Sequence, residues 1–162
     1  LSGKAQNTFN SGQLEIARVD LESVIDDYPG TSAAKQALVY LVSDAYRNND
    51  IIKASQLLER NGTSVGDKML EAGLIETKGN IAMDNSDFTS ATNYYLKSMK
   101  ITEFSTMKAQ YLIDVIQAYI AQQNYDKALT SLSKLLSDES LASNDKSKAE
   151  ELQAFVITMM GN

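Results

Sequence analysis

"SDFTSATNYY", residues 86–95, is built around one small residue, Ala91, with Phe88 three positions before it and Tyr95 four positions after. The same frame recurs in "GQLEIARVDL" (12–21), "NDIIKASQLL" (49–58) and "QNYDKALTSL" (123–132). Its alanines, Ala17, Ala54, Ala91 and Ala128, follow one another at intervals of 37 residues. Large apolar residues stand three before each (Leu14, Ile51, Phe88, Tyr125) and four after each (Leu21, Leu58, Tyr95, Leu132). Eight before each stands Phe9, Tyr46, Met83 or Ile120. Positions three and four apart share one face of a helix, so every frame is a helix with a small residue in its apolar stripe. The alanine lets a partner helix approach closely.

Between the helix that carries position −8 and the helix that carries the alanine lie short polar breakers. They read "NSGQ" (10–13), "NNDI" (48–51), "DNSD" (84–87) and "QQNY" (122–125). Asn, Asp, Ser and Gly end one helix and cap the next. Each 37-residue unit is therefore a helix hairpin, and the chain is all-α. Helices are expected near 2–11, 13–28, 32–48, 50–60, 67–84, 87–100, 105–122, 124–137 and 144–159. Repeats span roughly 1–30, 31–65, 66–103 and 104–140, and a capping helix spans 143–160, within one domain of 162 residues. The one proline of the chain, in "DDYPGTSAA" (26–34), fits the same scheme. Pro29 stops the second helix of the first repeat, Gly30 turns the chain, and Thr31 caps the next helix.

Composition narrows the function classes. Net charge is −6 and pI about 4.6, which disfavours nucleic acid and anionic membrane surfaces as partners, because both require clustered Lys and Arg. The chain has no Cys and no His, which removes thiolate chemistry, imidazole bases and most transition-metal sites. The longest apolar run, "ALVYLV" at 37–42, falls far short of the ~20 residues a membrane span needs. The chain opens at Leu1 rather than Met, as expected of a segment cut from a longer protein. A signal peptide or membrane anchor would lie upstream, so membrane association is expected only through such an anchor.

The alanine frame resembles the tetratricopeptide repeat, a helix–turn–helix unit of ~34 residues with A-x₃-F and a terminal Pro. A-x₃-[large apolar] is matched four times over residues 4–138, the Pro once, the signature Trp never and the first-helix Gly at Gly79. The resemblance implies a right-handed α-solenoid with a concave face lined by the first helices of the hairpins. "LESVIDDYPGTSAAKQALVYLVSDAY" with "IETKGNIAMDNSDFTSATNYYLKSM" further resembles the translocon-ancillary, tetratricopeptide-like proteins of the bacterial cell envelope. That likeness implies a periplasmic or envelope location and chaperone-like contacts with secretion or envelope complexes. Assembly and Tol-Pal accessory lipoproteins share the "YPGT" junction.

Motifs of chemistry read as structure. "GTSVGDKM" (62–69) approaches the spacing of a phosphate-binding loop, but Asp67 intrudes and no strand precedes it. Asp84 and Asp87 in "DNSDF" lack the glycine and the terminal Glu of a calcium loop and are read as helix ends. Asp26/Asp27 and Glu150/Glu151 are sequence neighbours about 100° apart on a helix, not dyads. "NGT" (61–63) is read as a loop, and the eight tyrosines mostly as core residues. No cofactor, metal or catalytic residue is expected.

Two functions compete. In the first, the chain is a non-catalytic scaffold whose groove takes a protein or peptide. The resemblance places Gln6, Asn10, Ser43, Tyr46, Arg47, Glu76, Asn80, Asp84, Gln110 and Gln117 towards that groove. Tyr46, Arg47, Asn80 and Gln117 form its expected centre. In the second, the array is a structural or oligomerisation module. Its last helix carries a capping stripe of Ala149, Leu152, Phe155, Val156 and Met159, while Ile157 and Met160 lie off it as a candidate homodimer contact. An acid–base enzyme is the third class, and a groove without strongly perturbed acids would close it.

Overall fold

The computed structural model describes residues 3–161, with side chains from residue 13 onward. Among the described residues there are eight α-helices and no strand. They are α1 (Gly3–Asp27), α2 (Ser32–Arg47), α3 (Ile51–Asn61), α4 (Lys68–Asp84), α5 (Phe88–Ile101), α6 (Ser105–Ala121), α7 (Tyr125–Leu136) and α8 (Ser143–Met160). They group into two compact units, Leu1–Val65 and Gly66–Asn162. Among the described residues, no helix is long and apolar enough to cross a membrane.

One turn is made three times, 37 residues apart. At the end of α2, α4 and α6 the residues Asn49, Ser86 and Gln123 take left-handed backbone, with φ of 61°, 60° and 58°. The next residue sends its N–H back five positions, from Asp50 to Ala45 O, Asp87 to Ala82 O and Asn124 to Tyr119 O, each at 2.8 Å. Its side chain then accepts from the N–H three residues on, at Lys53, Ser90 and Lys127. One residue thereby closes the first helix and caps the second, satisfying amide groups that a helix end otherwise leaves unpaired. The breakers at 48–51, 84–87 and 122–125 act as the sequence predicts.

The fourth breaker does not. α1 runs unbroken through residues 10–13, so the expected helices 2–11 and 13–28 are one. The register explains the difference. Gln13 stands where the other units have Asp50, Asp87 and Asn124, and a glutamine side chain is one methylene too long for this cap. Ala54, Ala91 and Ala128 are completely buried, but Ala17, with no folded-back partner, is exposed, as is Leu14.

The proline junction behaves as expected. α1 ends at Asp27, Gly30 has φ of +80°, and the Thr31 hydroxyl accepts from Ala34 N at 3.2 Å to cap α2. In the first unit α2 packs on both α1 and α3. Ion pairs add to this packing: Arg18 Nε to Asp44 at 2.7 Å, Lys53 to Glu22 at 2.8 Å, and Arg60 to Asp26.

In the second unit α5 packs on both α4 and α6. The approach of α4 to α5 is very close. A Cβ at Gly79 would lie 2.5 Å from the Tyr95 ring, and the Ser98 hydroxyl, completely buried, donates to Ala72 O across the helices at 2.9 Å. Ala91 shares this core with Tyr95, Ala82, Val115 and Ala118. Ala91→Leu is therefore expected to cost ~1–3 kcal/mol through overpacking, whereas Ala17→Leu is expected to be nearly neutral. Denaturant midpoints of the two variants check this, and equal shifts would contradict the register.

α8 packs on α7 and α6, with Ala149 and Val156 completely buried among Ile113, Ile116, Leu132 and Leu135. The buried stripe is narrower than the sequence suggested. Leu152 is half-buried, but Phe155 and Met159 are exposed together with Ile157 and Met160. The physical reason is angular: residues 149, 152 and 156 form one line down the helix, and 155 and 159 lie to the side of it.

Candidate functional site

In the second unit two helices carry rows of polar residues at helical spacing. On α4 these are Glu76, Asn80 and Asp84, and on α6 they are Gln110, Asp114 and Gln117. Their scaffold is fixed by hydrogen bonds through α5. The Tyr95 hydroxyl donates to Asn80 Oδ1 at 2.8 Å, and Gln122 Nε2 donates to Phe88 O at 3.0 Å and to Thr92 Oγ1 at 2.9 Å. At the start of α4 the Asp67 carboxylate accepts from the N–H groups of Met69 and Leu70, so the glycine-rich loop before it ends in a helix cap.

The rows meet in a charged cluster. Burial pushes the Glu76 carboxyl up to about 7, and the nearby Asp114 carboxylate adds to the effect. Asp114 is itself raised to about 6 by burial, while the Gln110 side chain pulls it the other way. Close to both lies Tyr111, only 1% exposed, whose phenol is pushed up to about 12 by burial and then by Glu76 and Asp114. The Tyr111 hydroxyl and Asp114 Oδ2 are buried without a hydrogen-bond partner. Unpaired buried oxygens of this kind cost roughly 1–3 kcal/mol each.

The two lysines of α4 are engaged elsewhere. Lys68 pairs with Glu103 at 2.7 Å, and Lys78, two residues from Glu76, lies over the Tyr94 ring at 5.2 Å. Two carboxyls titrating near neutrality can share a proton, hold a cation, or pass a proton to something bound. The condition that would have excluded acid–base chemistry, a groove without perturbed acids, is therefore not met.

Of the residues expected in the groove, Glu76, Asn80, Gln110 and Gln117 lie on these two rows, with Asp84 exposed at the end of α4. Ser43, Tyr46 and Arg47 lie on α2 in the first unit, Ser43 and Arg47 exposed and Tyr46 half-buried. Gln6 and Asn10 fall outside the described side chains. Sequence reasoning missed Asp114 and Tyr111. Asp114 was within reach, standing four residues after Gln110 and three before Gln117 on one helix face. Tyr111 reads from the sequence as a core tyrosine, which its burial supports; no pattern in the chain marks its hydroxyl as unpartnered.

The first unit has a cleft of about 290 Å³ between its helices, walled by Glu15, Arg18, Glu22, Asp44 and Lys53 among others. Its charges already satisfy one another: the Arg18 guanidinium holds the Asp44 carboxyl below its usual range, and Lys53 pairs with Glu22. It therefore has less to offer a ligand than the cluster of the second unit. Comparison of the chain with protein-family models, with curated proteins and with solved structures found no match.

Proposed function

We propose that this chain is a non-catalytic scaffold that binds a protein or peptide through the first helices of its hairpins. In this reading the hairpins belong to a tetratricopeptide-like right-handed solenoid. The chain is the extramembrane part of a bacterial envelope protein that assists secretion or complex assembly, and the raised carboxyls serve binding rather than catalysis. The observation that carries the reading is the one turn made three times at 37-residue spacing, which gives α4 and α6 the same place in successive hairpins. Those two helices also bear the polar rows, with Glu76, Asn80, Asp114 and Gln117 half-buried and Asp84 and Gln110 exposed, a lining suited to amide and backbone contacts.

A photo-crosslinking side chain placed at Gln117, and separately at Lys134 on the second helix of the same hairpin, tests this in the native cell. A discrete adduct from position 117 and none from 134 is expected. Adducts from neither position, or from 134 alone, would defeat the reading.

A second reading, an oligomerisation module, is favoured by the four large apolar side chains that α8 leaves exposed, Phe155, Ile157, Met159 and Met160. Sedimentation separates the two: a dimer that dissociates in the Ile157→Ser/Met160→Ser variant supports the module.

A further inference from the structure

We propose that Glu76, Asp114 and Tyr111 form a binding site for a primary alkylammonium group, the side chain of a lysine on a peptide or protein partner. The lysine source rests on the scaffold reading above; the ammonium chemistry rests on the cluster itself. Three observations carry it. The site offers acceptors in the number an ammonium needs: the Glu76 carboxylate, Asp114 Oδ2 and the Tyr111 hydroxyl oxygen, against three N–H donors. Two of these atoms are buried without a partner, and Tyr111 is almost wholly enclosed, so the phenol is held in place before anything binds. The two lysines of α4 are committed to Glu103 and to the Tyr94 ring.

The alternatives fit less well. A divalent metal asks for six or more hard oxygen ligands, and among the described residues no group of three acidic, His or Cys side chains is gathered anywhere. A guanidinium presents five donors in a planar fork suited to one carboxylate edge, not to three atoms drawn from two helices. A compact ammonium on a flexible stem places each hydrogen on a separate acceptor. It also offsets the carboxylate–carboxylate repulsion that helps raise Glu76.

Isotope-labelled protein is titrated at about pH 8, where both carboxyls are largely ionised, with Nα-acetyl-lysine methylamide and followed by amide NMR. Amides around residues 76, 111 and 114 are expected to move, and the norleucine analogue should leave them still. Glu76→Gln and Asp114→Asn should each weaken binding by about tenfold and Tyr111→Phe by less, with Glu150→Gln, at an exposed position of α8, unchanged. Retained amide dispersion in each variant shows that the fold is intact. Equal shifts from the norleucine analogue, or lysine binding that survives both carboxyl substitutions, would overturn the site. Putrescine serves as the second probe. If it binds more tightly than the lysine derivative, with the same losses in the variants, the lysine source is overturned and a free diamine takes its place. Failure of the scaffold reading is read separately, from the crosslinking pattern at positions 117 and 134.

Discussion

Val156→Asp is expected to unfold the second unit at temperatures where Ile157→Asp, one residue further along the same helix, leaves it intact. Val156 is 0% exposed and packed among Ile116, Leu132 and Leu135, whereas Ile157 is 55% exposed. A carboxylate forced into the first site has no cation to meet and no water to keep it. Such an uncompensated charge costs ~3–5 kcal/mol, a large part of the roughly 5–15 kcal/mol that holds a typical domain together. At the second site the charge stays in solvent, and the change should fall within about 0.5 kcal/mol. Deleting residues 143–162 should do more damage than either. It strips the cover from Ile113, Ile116, Leu132 and Leu135 and forfeits the burial of Ala149, Leu152 and Val156, on the order of 5 kcal/mol in all. Thermal melts of the two point variants decide the matter. If both melt alike, α8 does not cap the unit through this face.

Which features are legible in the chain depends on the range of the interactions behind them. The three turns at Asn49, Ser86 and Gln123 rest on local chemistry, a left-handed residue followed by a short Asx cap, and local chemistry is written in adjacent residues. The missing fourth turn was legible on the same terms, because Gln13 breaks the cap pattern. Its alanine register looks intact, but periodicity without a cap does not turn a helix back on itself. Burial along α8 depends on which neighbours are present. The sequence shows that Phe155 and Val156 are both apolar, but which of them faces α6 and α7 is decided by the docking angle of the helix. Glu76 was readable as a polar residue of a first helix. Its partner Asp114 comes 38 residues later, on a different helix, and the coupling between them exists only once α5 has set both helices in place.

That coupling gives the strongest dependence on solution conditions. Glu76 holds its proton up to about 7 in the folded chain against 4.5 ordinarily, and Asp114 up to about 6 against 3.8. Between about pH 4 and 7 the native state therefore binds more protons than the unfolded chain, and stability falls as pH rises through that window. Ionising either carboxyl costs on the order of 2 kcal/mol after allowance for its partial exposure, since each pKa unit corresponds to about 1.4 kcal/mol. Glu76→Gln removes one of the two negative charges and lowers the pressure on the other. It should raise the stability of the second unit by about that amount at pH 8 and change little at pH 4. Asp114→Asn should act in the same direction, and the double variant should gain less than the two single gains combined, because each substitution already relieves the repulsion the other would. Urea unfolding at the two pH values reads all three. A Glu76→Gln variant less stable than the parent at pH 8 would mean that the carboxylate is satisfied in the fold. A pair that weakens the empty fold at neutral pH is costly as structure. The same pair becomes an asset once a cation sits between its members, because the energy withheld from folding is returned on binding.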